Sequence, residues 1–204
     1  LRSMESRPKV RMTYLEIYNE QLRDLLTAEP SKKPIRIVED PNKGVMVTNL
    51  TVMFPTDTQE VLQLIHIGNK RRTQAETSQN PVSSRSHAIL QIEVECPPEY
   101  ALGGECHFGK LSLIDLAGSE RGNENTGIRL RESGKINCSL LELSNCINAL
   151  CKQSSYVPYR RSKLTRMLKD SLGGNTRTIC LSCVSPALTS FDDTYSTLIY
   201  SNKA

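Results

Sequence analysis

Lys110-Leu-Ser-Leu-Ile-Asp-Leu-Ala-Gly-Ser-Glu120 is an apolar run that gives way to a glycine-bearing loop at a carboxylate. The run up to Asp115 reads as a strand, and the loop continues past Gly118 to Gly127. In open α/β sheets the ligand crevice lies where such a strand ends. A carboxylate at that place can hold Mg²⁺ through water, and an N–H at a glycine can approach a terminal phosphate because no side chain blocks it. Taken alone, an Asp before a glycine loop reads equally well as an ordinary turn.

Working outward, Ala88–Val94 is a second strand, joined to Lys110–Leu116 through Pro97, Pro98 and Gly103-Gly104, as in an antiparallel pair. Before it stands Asn80-Pro-Val-Ser-Ser-Arg-Ser-His87. Three hydroxyls, an arginine and a histidine in one polar loop suit Mg²⁺ coordination and the placing of phosphate or water better than they suit packing. Further upstream, Val10–Tyr18 alternates as a strand and Asn19–Asp24 is expected to turn into a short helix. Ile35–Val38 and Val45–Phe54 read as two strands of a small lobe around the turn Asp40–Gly44. Thr58 is placed to cap a helix that ends on Lys70, Arg71 and Arg72, basic residues that complement the helix dipole.

Downstream, Ile136, Leu140, Leu143, Ile147 and Leu150 recur at helical spacing on one face of a long helix that starts near Ile128. Ser162 is placed to cap a further helix carrying Leu164, Leu168 and Leu172, Thr178–Val184 reads as a strand, and Ser190 opens a last helix. Strands with covering helices make an α/β layered domain, and 204 residues suffice for one such domain with a sizeable core.

Hydrophobic residues make up 38% and charged residues 24%, values that exclude wholesale disorder and fibrous repeats. No apolar run has the roughly 18 residues that would cross a bilayer, and the first residues lack the apolar core of a secretory signal. An intracellular location is therefore expected, with no membrane partner. Seven cysteines without framework spacing argue against a disulfide scaffold, and Cys180 and Cys183 read as small strand residues. The net charge of +4 is too small for a general polyanion binder, but its distribution is uneven. From Lys152 to Lys169 there are six basic residues and no acidic ones, with little aromatic interleaving, so nucleic acid is not the expected partner. The stretch is either a solvated face or a docking surface for something acidic.

These motifs resemble those of kinesin motor domains. Asn80-x-x-Ser83-Ser84-Arg85-Ser86-His87 is similar to the kinesin switch I, and Asp115-Leu-Ala-Gly118-Ser-Glu120 to switch II. The likeness extends through Tyr14–Glu20, Arg23–Leu26, Ile136–Leu143, Val157–Arg166 and Asp170–Gly174, so it covers essentially the whole of 1–204. It implies a three-layer P-loop NTPase fold with a mixed central sheet, ATP and Mg²⁺ as cofactors, and microtubules as the track. By position, Asn80, Ser83, Ser84, Ser86 and His87 would line the nucleotide. Ser84 would contact Mg²⁺, and Asp115 would hold it through water. Gly118 would sense the phosphate, and Arg85 and Glu120 would pair across the two switches when the site closes. The basic stretch becomes the microtubule face: Arg160, Arg161, Lys163, Arg166 and Lys169. Reversing Lys163 and Arg166 should then weaken track binding more than reversing Lys32 and Lys33. Gly68–Gln74 and Asp192–Leu198 look most like the class-eight kinesins.

The resemblance also implies a G-x-x-x-x-G-K-[ST] phosphate loop ahead of the Tyr14 strand, which these residues do not contain. Gly104-Glu-Cys-His-Phe-Gly-Lys-Leu111 imitates it, but ends in Leu111 where a hydroxyl is needed and leads into a strand. The chain therefore reads as the C-terminal two-thirds of a motor domain, incomplete on its N-terminal side and exposing a sheet edge and apolar surface. Two functions follow. One is part of an ATP-driven microtubule motor, inactive as this piece alone and dimerising only through other regions. The other is a truncated, nucleotide-independent module that binds microtubules or another partner.

Overall fold

The structure, a computed structural model, describes residues 8–29, 33–41, 44–74, 85–98, 106–118 and 127–203, without the side chains of 73–74 and 127–137. The chain divides into two compact units, residues 1–35 with 49–117 and residues 36–48 with 118–204.

The first unit is built on a four-stranded sheet in the order β2-β1-β5-β6: β1 (Lys9–Tyr18), β2 (Gln21–Asp24), β5 (His87–Cys96) and β6 (His107–Asp115). All its pairings are antiparallel, so the parallel part of the mixed sheet expected from sequence is not among the described strands. β1 is enclosed on both sides, and Met12, Leu15, Ile17 and Ile89 are almost wholly buried. Helix α1 (Thr58–Gln74) covers one face, where Leu64 joins Met12, Tyr14, Leu25, Leu26, Ala88 and Leu90 in one apolar cluster. A Cβ at Gly68 would run into the Tyr14 ring, so the missing side chain lets α1 lie close to β1. From the same turn of α1, Asn69 Oδ1 accepts the Tyr14 hydroxyl at 2.6 Å.

Three sequence expectations are corrected in this unit. Asn19–Asp24 is a turn and a strand, not a short helix. Tyr18 pairs with Gln21, and Asn19 and Glu20 take φ of 51° and 59° in between. Two consecutive positive φ values twist the chain as a two-residue hairpin requires, and they preclude a right-handed helix there. The cap of α1 is Asp57, one residue before Thr58, with Oδ1 accepting the Glu60 N–H at 2.8 Å. The expected strand Val45–Phe54 breaks at Asn49, whose φ is 62°. Its later part reaches the sheet through Met53, which exchanges backbone hydrogen bonds of 2.8 and 2.9 Å with Met12.

The second unit contains the hairpin β3 (Arg36–Asp40) and β4 (Gly44–Thr48), the long helix α2 (Gly127–Cys151), the short helices α3 (Lys163–Met167) and α4 (Lys169–Gly173), and α5 (Phe191–Ser201). Its buried side chains include Leu143, Cys146 and Ile147 of α2 with Leu164, Met167 and Leu168 around α3. Ser162 caps α3 as expected, its Oγ accepting the Thr165 N–H at 3.0 Å while Thr165 Oγ1 accepts the Ser162 N–H. The single helix expected to carry Leu164, Leu168 and Leu172 is divided at Leu168 into α3 and α4.

Thr178–Val184, expected as a strand, is none. A strand needs a neighbour to take its backbone groups, and this run has no ladder partner among the described residues. Ile179 and Leu181 stand 86% and 88% exposed.

Candidate functional site

Asp115 ends β6 where the sequence places the crevice, and its side chain is 71% exposed. Opposite it in the ladder is Ala88, so the residues just before β5 and just after β6 meet at one end of the sheet. Arg72 in the last turn of α1 joins them. Its Nη1 donates to Asp115 Oδ2 at 2.5 Å, its Nη2 to the Ser86 carbonyl at 2.9 Å and its Nε to Ser86 Oγ at 3.2 Å. Glu16 of β1 lies beneath, 1% exposed, with Oε1 4.0 Å from Arg72 Nε and Oε2 3.7 Å from Arg23. The sequence reading gave Arg72 only a helix-dipole role, because nothing local reveals a partner 43 residues away.

His87 makes the second tie. Its ring is 2% exposed, and Nδ1 accepts the Ala117 N–H at 3.0 Å, which fixes Nδ1 as the unprotonated nitrogen. Burial, with the Arg72 charge adding to it and Asp115 opposing, pushes the imidazole down to about 4. Burial also raises the Tyr14 phenol above its ordinary range.

Of the residues expected at the site, Ser86, His87 and Asp115 are brought together, Ser86 and His87 buried and Asp115 open. Arg85 is half-buried just before Ser86, and Gly118 is half-buried just after Ala117. Asn80, Ser83, Ser84 and Glu120 lie outside the described residues. A hollow of about 460 Å³ opens beside Asp115 and Arg72, with Tyr14 and Asn69 on its polar side and Ile65, Leu90 and Leu113 on its apolar side. An exposed, hard carboxylate at a strand end fits a hydrated Mg²⁺. Gly109-Lys110-Leu111 of the imitation phosphate loop lies within β6, where alternating amides cannot converge on an anion.

In the second unit the basic residues expected to dock a partner stand on and around α3. Acidic residues remote in sequence reach several of them. Glu39 of β3 binds Lys169 at 2.8 Å through Oε2 and Arg160 at 3.6 Å through Oε1, and Glu142 of α2 lies 3.6 Å from Arg161. Arg166 donates to the Ile37 carbonyl at 3.0 Å, and its Nε is buried. Arg166 thus supports the hairpin, and its reversal would disturb folding as well as charge. Asp170 Oδ2 accepts the Val45 N–H at 2.7 Å. Gly44 has φ of 72°, and a Cβ there would strike that carboxylate.

A family model described as kinesin motor domain matches residues 2–204. The chain is 50% identical over 199 residues to mouse kinesin-like protein KIF18A, covering 95% of this chain and 22% of that protein. It is 47% identical over 203 residues to kinesin-like protein KIP3 of Saccharomyces cerevisiae, covering 96% of this chain and 25% of that one. It therefore spans about a quarter of the curated relatives it matches. Among solved structures, KIF14 residues 391–772, a dimer in the two-heads-bound state with AMP-PNP in complex with a microtubule, matches with a TM-score of 0.84 and 36% identity. That match covers 98% of this chain and 59% of the other.

Proposed function

Because this chain belongs to the kinesin motor domain family, we propose that residues 1–204 are part of a motor domain that couples ATP binding and hydrolysis to movement along microtubules. The observation that carries the reading is the junction at the sheet end, where Arg72 holds the exposed carboxylate of Asp115 and the start of β5 at Ser86. Ser84 and Asp115 would hold Mg²⁺, the latter through water, and bound Mg²⁺ would neutralise charge on the phosphates during transfer. Arg72 orients the Asp115 carboxylate, and the neutral His87 ties β5 to the residue that precedes Gly118. A shift at either strand end is thereby felt at the other. Arg85 and Glu120 would add a charge-assisted contact that forms in one nucleotide state and breaks in another. Asn80, Ser83, Ser86 and His87 complete the nucleotide side by resemblance.

The second unit supplies the track face in this reading. Arg160, Arg161, Lys163, Arg166 and Lys169 offer positive charge to the acidic tubulin surface, and the protein acts at the cytoskeleton. In the full-length protein, Asp115→Asn should abolish microtubule-stimulated ATP turnover. Arg160→Glu with Lys163→Glu should weaken microtubule co-sedimentation far more than Lys33→Glu with Lys70→Glu, an equal change of charge. Equal losses from the two pairs would leave the basic stretch a solvated face. The 204 residues alone should not hydrolyse ATP, since they contain no G-x-x-x-x-G-K-[ST] loop. The second reading is a nucleotide-independent module that binds microtubules or another partner. Measurable ATP affinity of the full-length protein decides against it.

A further inference from the structure

We propose that Glu39 is an internal counter-ion of the basic face, one that competes with an acidic partner for Arg160 and Lys169 and so sets how tightly, and how salt-dependently, the face docks. The inference rests on the reading of that face as a microtubule-binding surface. In sequence the stretch from Lys152 to Lys169 carries six basic residues and no acidic one, but the fold adds an anion from 120 residues and more upstream. Two backbone contacts lay the hairpin against the helices, Arg166 Nη2 to the Ile37 carbonyl at 3.0 Å and the Val45 N–H to Asp170 Oδ2 at 2.7 Å. They put the Glu39 carboxylate between two cations, one oxygen toward each, at 2.8 Å from Lys169 and 3.6 Å from Arg160. The hydrogen bond from Lys169 also holds the Glu39 carboxyl below its usual range, so the group stays ionised while the pair is intact.

Arg160 is 80% exposed and Lys169 is 41% exposed, so both remain within reach of a partner. Exposed ion pairs of this kind are weak and exchange readily. A partner carboxylate that takes over Arg160 or Lys169 displaces Glu39, and the charge gained is offset by the charge released. With a neutral residue at position 39 the same docking loses no internal pair. The hairpin should stay in place, because the contacts of Ile37 and Val45 do not involve Glu39.

The experiment compares the full-length protein with Glu39→Gln, with Glu29→Gln and with Lys163→Glu in microtubule co-sedimentation across a salt series. Glu29 is an exposed carboxylate of the first unit, so its replacement makes the same change in net charge. Glu39→Gln is expected to tighten binding about threefold to tenfold in low salt, with a steeper salt dependence and convergence on wild type near 1 M, where the Debye length is about 3 Å. Glu29→Gln should leave binding unchanged. If Glu39→Gln merely matches Glu29→Gln while Lys163→Glu weakens binding, the counter-ion role is overturned and the docking surface stands. Weaker binding by Glu39→Gln would also overturn it, since Glu39 would then be contacting the partner itself. If Lys163→Glu has no effect either, the docking surface falls, and this inference with it.

Discussion

At Arg72 a single guanidinium meets Asp115, Ser86 and the buried side of Glu16. Its removal would leave Glu16, 1% exposed, with the half-exposed Arg23 as its one ion-pair partner among the described residues. Losing one partner of a buried pair costs more than losing both, because the remaining charge keeps its desolvation penalty. Arg72→Met should therefore destabilise by about 2–4 kcal/mol, and adding Glu16→Gln should recover part of that loss, as measured by urea unfolding of the two single variants and the double. His87 sets a pH dependence. Its folded-state value of about 4 lies below the ordinary 6.5, so the unfolded chain binds more protons between those values. Stability should fall by about 3 kcal/mol as pH drops from 6.5 to 4, a slope that His87→Gln should lose in parallel denaturation series. Asp115, Ser86 and His87 were legible in sequence because the motif and the strand pattern are both local. Arg72 and Glu39 were not, since a charged side chain names no partner until the fold brings one from 43 or from 130 residues away.

Among the elements, the β1–β2 hairpin was the clearest misreading, and its reason is specific. Leu22, Leu25 and Leu26 after a polar pair fit a helix start as well as a strand, and only the left-handed backbone of Asn19 and Glu20 separates the two. Glu20 is ill suited to its φ of 59°, where glycine carries no steric cost. Glu20→Gly should thus stabilise by about 0.5–1 kcal/mol, seen as a higher urea midpoint at unchanged slope. A lower midpoint would mean that the contacts of the Glu20 side chain outweigh the backbone term. The long helix and the β5–β6 pair were legible because their periodicity persists over many residues. The run at Thr178–Val184 misled for the opposite reason. Its composition suits a strand, but strand formation also requires a neighbouring strand, which composition does not report.

Over the whole chain, apolar side chains stand in solvent in several places. Phe108, Leu111 and Leu113 of β6 are 69%, 54% and 51% exposed, and Ile179, Leu181 and Leu188 are more exposed still. Surfaces of this kind bind apolar dyes and associate. The 204-residue chain should enhance the fluorescence of such a dye while keeping its far-UV signal, and the enhancement should fall when Leu111 and Leu113 are both changed to Thr. Fluorescence no greater than that of an ordinary folded control would show that this surface is covered in solution. No described helix is long and apolar enough to cross a membrane, so the exposed groups do not amount to a helical span.

Because β6 pairs only with β5 among the described strands, its two edges are unequal. In an antiparallel ladder each strand directs successive backbone N–H groups to opposite sides. Alternate amides from His107 to Asp115 are therefore bonded to β5, and those between them point to the open edge. In deuterated water the exchange along this strand should alternate, slow and fast at every second residue, while β1, enclosed by β2 and β5, should be slow throughout the residues it pairs on both sides. That two-beat rhythm would mark β6 as a strand with a vacant side, and its disappearance on adding any binding segment would locate the segment on that side residue by residue.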